Sequence, residues 1–282
     1  MTRGGLCFVV ALAASGCTLS AGDWFADLRP TFEARYAPRA DRDTGDGWQK
    51  LNTLYQIQMT RALVTVEDIQ LQDLGGGGAA AAFDPAHPPR GYSLCHNGHC
   101  HRDDGALVSY EEVAAELAGG GTITVQTVVS LPIGQSDLLA PVRRDLACEP
   151  GCGLPEAKVQ RARATLVHVA FEGLVREGRV PARVTGEVPW RWEAALAADT
   201  GREPVYLDCA ADLPADNAHP PNVRLDLTLE IGARLLDDVE WSALVAGAGV
   251  IDLAAPENAA GLDLVLHNLA ESALSAAIQR TD

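Results

Sequence analysis

Alternating apolar and polar residues indicate that this chain is built mainly from β-strands. The clearest stretch covers residues 223–231, where Val223, Leu225, Leu227, Leu229 and Ile231 alternate without a break with other residues that are mostly polar. Because successive side chains of a strand point to opposite faces, this period of two gives one face for a core and one for solvent. Further strands are predicted in 55–71, with a phase change at Glu67-Asp68 that a bulge would explain, in 123–129 and in 166–171.

Helical signals are few and short. Ser109 to Glu112 has the spacing of a capping box, and the glycines at 119–121 end that helix. A second short helix is predicted near Asp237 to Val245, and a third from about Leu262 to Ile278, where apolar residues form one stripe. Many strands and few helices predict a mainly β fold, namely an antiparallel β-sandwich with two or three short helices.

Residues 1–17 are typical of an export signal. Arg3 precedes an apolar run, Leu6 to Ala14, that is too short to span a bilayer. The following Ala14-Ser15-Gly16-Cys17 resembles the lipobox of bacterial lipoproteins, although Ala14 stands where that family prefers Leu. The resemblance implies that Cys17 is acylated and anchors the protein to a lipid bilayer of the bacterial cell envelope, facing the periplasm or the cell surface. Ordinary secretory cleavage is the alternative.

The remaining chain divides by composition. Residues 18–47 carry Asp, Arg, Gly and Pro with little periodicity and predict a flexible tether, whereas 48–282 predict a single sandwich-like domain with a Cys/His loop at 91–105. The hydrophobic content of 47% is enough for a sizeable core. The net charge of −16 argues against nucleic acid as a partner.

The most unusual stretch is Cys95-His96-Asn97-Gly98-His99-Cys100-His101. Five of its seven residues are cysteine or histidine, in a chain that has seven of each. Asn-Gly is a turn signal, so the segment is expected to fold back on itself. Imidazole and thiolate suit copper and zinc, and we predict a metal site at this stretch. His96, His99 and His101 are the expected ligands, and Cys95 and Cys100 either ligate the metal as well or form a bridge that holds the loop. A protein that donates or accepts the metal is the expected partner.

Two other interpretations of the same stretch remain open. The spacing Cys95-x4-Cys100-His101 resembles an expanded c-type haem attachment sequence. That resemblance implies an electron-transfer protein with haem c bonded to both cysteines, His101 as proximal ligand, and His87, His168 or His219 as a possible sixth ligand. In the third interpretation Cys95 and Cys100 form a small disulfide loop in a metal-free binding or structural module.

Export to an oxidising compartment favours disulfides. Outside the signal and anchor, the cysteines are Cys95, Cys100, Cys148, Cys152 and Cys209. Their spacing favours the close pairs Cys95 with Cys100 and Cys148 with Cys152, with Cys209 left as a buried strand cysteine, although other pairings are possible. The Pro-Gly between Cys148 and Cys152 supports a local bridge there.

The sequence contains none of the common catalytic signatures. There is no Gly-x-Ser-x-Gly elbow, no His-Glu-x-x-His pair and no phosphate-binding glycine loop. The sequence therefore predicts a binding protein and gives no reason to expect an enzyme.

Overall fold

The computed structural model describes the following residues: 26–75, 84–85, 87–96, 99–103, 107–117, 119, 124–154, 159–178, 182, 184, 186–196, 204–214 and 221–281. The predicted signal segment and the predicted lipidation site Cys17 lie outside this part of the chain. None of the helices in the described residues has the length and apolar character needed to cross a membrane.

The described chain contains sixteen strands and two α-helices. The strands are β1 (Ala26–Ala37), β2 (Gln49–Lys50), β3 (Tyr55–Gly75), β4 (Tyr92–His96), β5 (His99–Arg102), β6 (Leu107–Ser109), β7 (Thr124–Asp137), β8 (Arg144–Asp145), β9 (Gly153–Leu154), β10 (Arg161–Glu177), β11 (Val188–Ala195), β12 (Val205–Ala210), β13 (Asn222–Gly232), β14 (Ala246–Gly247), β15 (Val250–Asp252) and β16 (Ala273–Arg280). The helices are α1 (Tyr110–Leu117) and α2 (Ala259–Ala270).

These strands form three sheets. One has the order β16-β13-β1-β8, with β9 also on β1, and a larger one has the order β14-β15-β11-β10-β3-β2, with β12 on β10 and β7 on β3. The third sheet is small, with the order β4-β5-β6. Most neighbouring strands are antiparallel, while β1 with β13 and β11 with β15 are parallel. The mainly β prediction is confirmed, with sheets that are mixed in direction.

The two larger sheets share one continuous apolar core. The predicted alternation in β13 is observed, since Val223, Leu225, Leu227, Leu229 and Ile231 are all buried. Trp190 and Trp192 enter the same core from the other sheet, and Trp192 lies 5.7 Å from Phe171 between ring centroids. Burial of aromatic rings on this scale supplies much of the apolar area that stabilises a domain.

The phase change in β3 is a bulge, as predicted. Val66 pairs with Leu166 and Ile69 pairs with Ala164, so two residues of β3 face a single residue of β10 between these pairs. An extra residue of this kind bends the strand and restores the inward direction of the following apolar side chains. Both Val66 and Ile69 are therefore completely buried.

The predicted tether over 18–47 is wrong for residues 26–37. These residues form β1, which pairs along its whole length with β13. Leu28, Phe32 and Ala34 are buried in the main core. Charged residues such as Arg29, Glu33 and Arg35 stand between them, so the segment has the composition of a linker, yet its alternation is that of a half-buried strand.

The predicted C-terminal helix is also shorter than expected. α2 ends at Ala270, and Leu274, Ala276 and Ile278 belong to β16, which pairs with β13. The small and apolar residues of this segment fit a helical stripe and a strand equally well, and the open edge of β13 decides between them by supplying hydrogen-bond partners. The helix expected near 237–245 consists of 3₁₀ turns at Ala233–Leu236 and Trp241–Ala243, whereas the helix after Ser109 is confirmed as α1.

Candidate functional site

The Cys/His stretch forms the β4–β5 hairpin of the small sheet. Cys95 lies directly opposite Cys100, and His96 directly opposite His99. Asn97 and Gly98, which connect them, lie outside the described residues. A two-residue connection with Asn-Gly is the commonest sequence for a tight hairpin, so the local sequence explains why the chain reverses here.

The Cys95–Cys100 disulfide joins the two strands of this hairpin. The sulfur atoms are bonded to each other, the Cα atoms are 3.9 Å apart, and both residues are buried. The second predicted bridge, Cys148–Cys152, is also formed, and Cys209 makes no disulfide with a described cysteine. In this state neither Cys95 nor Cys100 offers a thiolate to a metal or a thiol to a haem vinyl group.

A small apolar cluster lies beneath the disulfide. Cys95 and Cys100 pack with Val108 of β6 and with Tyr110 and Val113 of α1. The helix presents these side chains because Tyr110 and Val113 are three residues apart and share one face. The hairpin is therefore fixed on a core of its own, separate from the main one.

A polar network ties the open end of the hairpin to α1. Glu116 accepts hydrogen bonds from the Tyr92 hydroxyl at 2.5 Å and from the Arg102 guanidinium at 2.6 Å. The Arg102 guanidinium also lies 5.9 Å from the centre of the Tyr92 ring. Burial, and then the hydrogen bond to Glu116, raise the pKa of Tyr92. Both strands are thus connected to the same helical carboxylate.

The register assigns the predicted ligand positions to two faces of the hairpin. Residues 99 and 101 are two apart on β5, and residue 96 is opposite residue 99, so all three histidine positions belong to one face. The disulfide belongs to the other. The side chains of His96 and His99 lie outside the described part of the structure, and among the described residues no three His, Cys, Asp or Glu side chains form a group that could hold a metal.

His101 is the described histidine of the hairpin. It is half-buried, faces Leu94 across the strands, and its backbone carbonyl accepts a hydrogen bond of 3.4 Å from the Ser93 hydroxyl.

Glu271, just after α2, interacts electrostatically with His101 and with His267. Partial burial nevertheless raises the pKa of Glu271. Sequence patterns gave no signal for Glu271, because its proximity to the hairpin depends on tertiary folding.

A cavity of about 380 Å³ separates the hairpin from the main body. Leu94, Cys95 and Tyr110 line one wall, and Asp208, Cys209 and Glu271 line the other. Asp208 is held by two hydrogen bonds from Arg163, at 2.8 and 3.0 Å.

Burial, together with the neighbouring carboxylates of Asp208 and Asp84, raises the pKa of Cys209 to about 12. This thiol is therefore protonated at neutral pH. The residue is half-buried, whereas the alternation of the strand predicted a buried cysteine.

The other residues named from the sequence are dispersed. His87 is exposed and contacts Asp84, with 2.8 Å between Nδ1 and Oδ2. His168 lies on β10, 3.7 Å from Glu193, and His219 lies outside the described residues. The described contacts of His87 and His168 are therefore with carboxylates and not with the Cys95–Cys100 bridge.

Comparison with known proteins gives no relative for this chain. It matches no family model, no curated protein and no solved structure. A function can therefore be proposed only from the residues of the chain itself and from their arrangement.

Proposed function

We propose that this chain is a membrane-anchored extracytoplasmic protein that binds one copper or zinc ion through the histidines of the β4–β5 hairpin. His96, His99 and His101 supply imidazole nitrogens to the metal. The observation that supports the proposal most is the register, which assigns the three histidine positions to one face of a two-stranded ribbon. Spacings of two along a strand and directly across a pair bring Cβ atoms within about 5 to 7 Å, close enough for a shared ion.

The disulfide removes the two cysteines from the set of metal donors. Cys95 and Cys100 are bonded to each other and belong to the opposite face, so the proposed site contains histidines without thiolates. Imidazole donors suit Zn²⁺ and Cu²⁺, whereas the preference for Cu⁺ comes mainly from sulfur ligands. We therefore propose a divalent ion at this site and assign the two cysteines to the support of the hairpin.

The scaffold under the hairpin favours binding. A ligand set that is already ordered loses less conformational entropy when the metal arrives. Here the buried disulfide, the cluster with Val108 and Val113, and the Arg102 and Glu116 ion pair all restrict the two strands. Three protein ligands also leave one coordination position for water or for a ligand of a partner protein. Transfer of the ion to or from such a partner is the proposed activity.

The alternative functions make different demands on the same cysteines. A c-type haem needs both sulfurs for thioether bonds, so the disulfide must first be reduced before haem could be attached. A metal-free module needs only the bridge and the small apolar cluster that it covers. Absorption and elemental analysis separate these alternatives from the proposal.

The test is metal content of the exported protein, purified from cells that also contain haem-maturation machinery. We expect about one copper or zinc per chain and no Soret band after denaturation. The triple variant His96→Asn, His99→Asn, His101→Asn should lose the metal, while His168→Asn with His267→Asn, which removes two histidines elsewhere, should keep it. A covalent Soret band would establish the haem alternative. If the wild type contains no metal after incubation with Cu²⁺ and Zn²⁺, the metal proposal is wrong and the metal-free module is the interpretation that stands.

Membrane anchoring has a separate test. We expect the wild type in the membrane fraction with a mass that includes acyl chains, and Cys17→Ala in the soluble extracytoplasmic fraction. An unmodified N-terminus after cleavage would show that the protein is secreted in the ordinary way and has no acyl anchor. This outcome would leave the metal proposal unchanged, because the hairpin and the anchor are independent.

A further inference from the structure

A further cavity, of about 250 Å³, lies beside the 3₁₀ turn at Ala233–Leu236 and shares Glu271 with the cavity next to the hairpin. Its lining consists of seven polar and charged residues, namely Arg39, Asn52, Arg234, Asp237, Asp238, Asn268 and Glu271. Since a water molecule occupies about 30 Å³ of liquid, the cavity has room for roughly eight water-sized groups.

Asp237 is the buried acid of this cavity. It is 3% exposed, and its Oδ1 accepts a hydrogen bond of 3.2 Å from the backbone amide of Asn52. Its Oδ2 is buried without a hydrogen-bond partner among the described residues. Burial of Asp237 raises the pKa of its carboxyl group, although Arg42 and Arg39 oppose the shift. A buried carboxylate oxygen without a hydrogen-bond donor raises the free energy of the folded protein. A ligand that supplies this donor would therefore bind favourably.

Other acceptors point to the same kind of ligand group. Asn268 uses its Nδ2 on the Leu235 carbonyl at 3.4 Å, which leaves its Oδ1 as an acceptor. With the carboxylate of Asp238 in the lining, acceptors dominate this side of the cavity. An ammonium group, which has three donors and no acceptor, matches them.

The basic residues of the cavity differ in their availability. Arg39 is engaged with Asp41 through hydrogen bonds of 3.3 and 3.0 Å. Arg234 is exposed and forms no ion pair within 4.0 Å among the described residues, although it interacts at longer range with Glu271. A guanidinium group binds a carboxylate through two parallel hydrogen bonds. Arg234 therefore offers the complementary charge in the same cavity.

We infer that this cavity binds a small zwitterion with the chemistry of a free α-amino acid. The ammonium group donates to Asp237 Oδ2, and the carboxylate accepts from Arg234. The proposed metal ligands take no part in the site. Glu271 nevertheless lines this cavity and interacts electrostatically with His101, so metal content is measured in the same variants to separate the two proposals.

The first experiment is calorimetric titration of the purified protein with each of the standard α-amino acids in turn, at neutral pH. We expect saturable binding of at least one small amino acid with a stoichiometry near one. Its analogues that lack only the ammonium or only the carboxylate, such as propionate and ethylamine in the case of alanine, should bind at least tenfold more weakly. An analogue that binds as tightly as the amino acid overturns the two-point recognition, and no binding by any amino acid overturns the site.

Variants then test the two residues. Asp237→Asn keeps an acceptor for the Asn52 amide and removes the charge, while Arg234→Gln changes an exposed residue with little effect on folding. Each should weaken binding at least tenfold. The matched controls are Asp263→Asn on α2 and Arg29→Gln on β1, both exposed and outside this cavity, and neither should change affinity. Binding that survives Arg234→Gln and a correctly folded Asp237→Asn contradicts the inference. If Asp237→Asn does not fold, Arg234→Gln decides alone.

Discussion

Cys95 on β4 and Cys100 on β5 lie directly opposite each other, and their disulfide is buried against Val108 and Val113. The bridge spans only five positions of the sequence and holds the register of the hairpin on which the three histidines stand. The disulfide therefore supports the proposed site mechanically, without taking part in metal coordination.

Removal of this bridge should loosen the hairpin. For a loop this short, the chain-entropy model gives a stabilisation of about 2 kcal/mol. In Cys95→Ala with Cys100→Ala, amide hydrogen exchange of β4 and β5 should accelerate by about thirtyfold, while β10 and β13 remain protected. Cys148→Ala with Cys152→Ala removes a bridge of nearly equal span and serves as the control, since it should leave hairpin exchange unchanged. Equal acceleration in both double variants would mean that the hairpin is not an independent unit.

Substitution of Glu116 should lower the pKa of Tyr92. The Tyr92 hydroxyl donates to Glu116 in the native protein, and this bond favours the neutral phenol. In Glu116→Gln the pKa of Tyr92 is expected to fall toward its ordinary value, although burial continues to hold it above that value. Ultraviolet titration of tyrosine ionisation measures the change, with the exposed Glu257→Gln as the control. Because the Glu116 side chain is half exposed, the loss of stability should not exceed about 1 kcal/mol.

Gly173 on β10 is the position where the main sheet should be least tolerant of a side chain. A Cβ atom at this residue would lie 2.2 Å from the Gln58 carbonyl oxygen and 3.0 Å from the Trp190 ring. Gly173→Ala is therefore expected to destabilise the protein by at least about 2 kcal/mol in urea unfolding, because neither neighbour can move without disturbing the core. Gly247→Ala has no atom within 4 Å of its new Cβ and should change stability by less than about 0.5 kcal/mol. Similar losses in both variants would show that the close approach at Gly173 does not exist.

Cys209 should make stability depend on alkaline pH. Burial raises the pKa of its thiol from 9.0 to about 12 in the folded protein. Below pH 9 the thiol is protonated in both the folded and the unfolded protein, so its contribution to the free energy of unfolding is fully present. As the pH rises from there toward 12, the unfolded chain loses this proton first, and the free energy of unfolding falls.

The matching variant is Cys209→Ala. Tyrosines ionise in the same range, so the relevant quantity is the difference between the wild type and the variant in urea unfolding at about pH 8 and about pH 11. The wild type should lose more stability than the variant across this interval. If the wild type and the variant lose the same stability between these two pH values, the thiol ionises as easily in the folded protein as in the unfolded chain.

Local signals in the sequence predicted several elements correctly. The unbroken alternation of 223–231 required a strand with one apolar face, and the phase change at Glu67-Asp68 required a bulge. The capping box at Ser109 marked the start of α1, and the short spacings of Cys95 with Cys100 and of Cys148 with Cys152 matched the two disulfides. Each of these features depends on residues that are close in sequence, so their patterns were sufficient.

Other features depended on partners that are distant in sequence. Residues 26–37 became a strand because β13 offers them hydrogen bonds along its full length, and Leu274 to Ile278 left the helical pattern because they pair with the other edge of β13. The polar cavity around Asp237 combines residues from both ends of the chain, and no local pattern marks it.

The sequence by itself determined that this protein is mainly β and nominated the Cys/His stretch as its most unusual chemistry, because periodicity and clustering are local properties. Only the tertiary structure decided what the cysteines of that stretch do. Strand register assigned them to the buried face opposite the histidine positions, and packing against α1 enclosed their disulfide. Which face is buried depends on what lies beneath the hairpin, and that contact forms only when the chain folds.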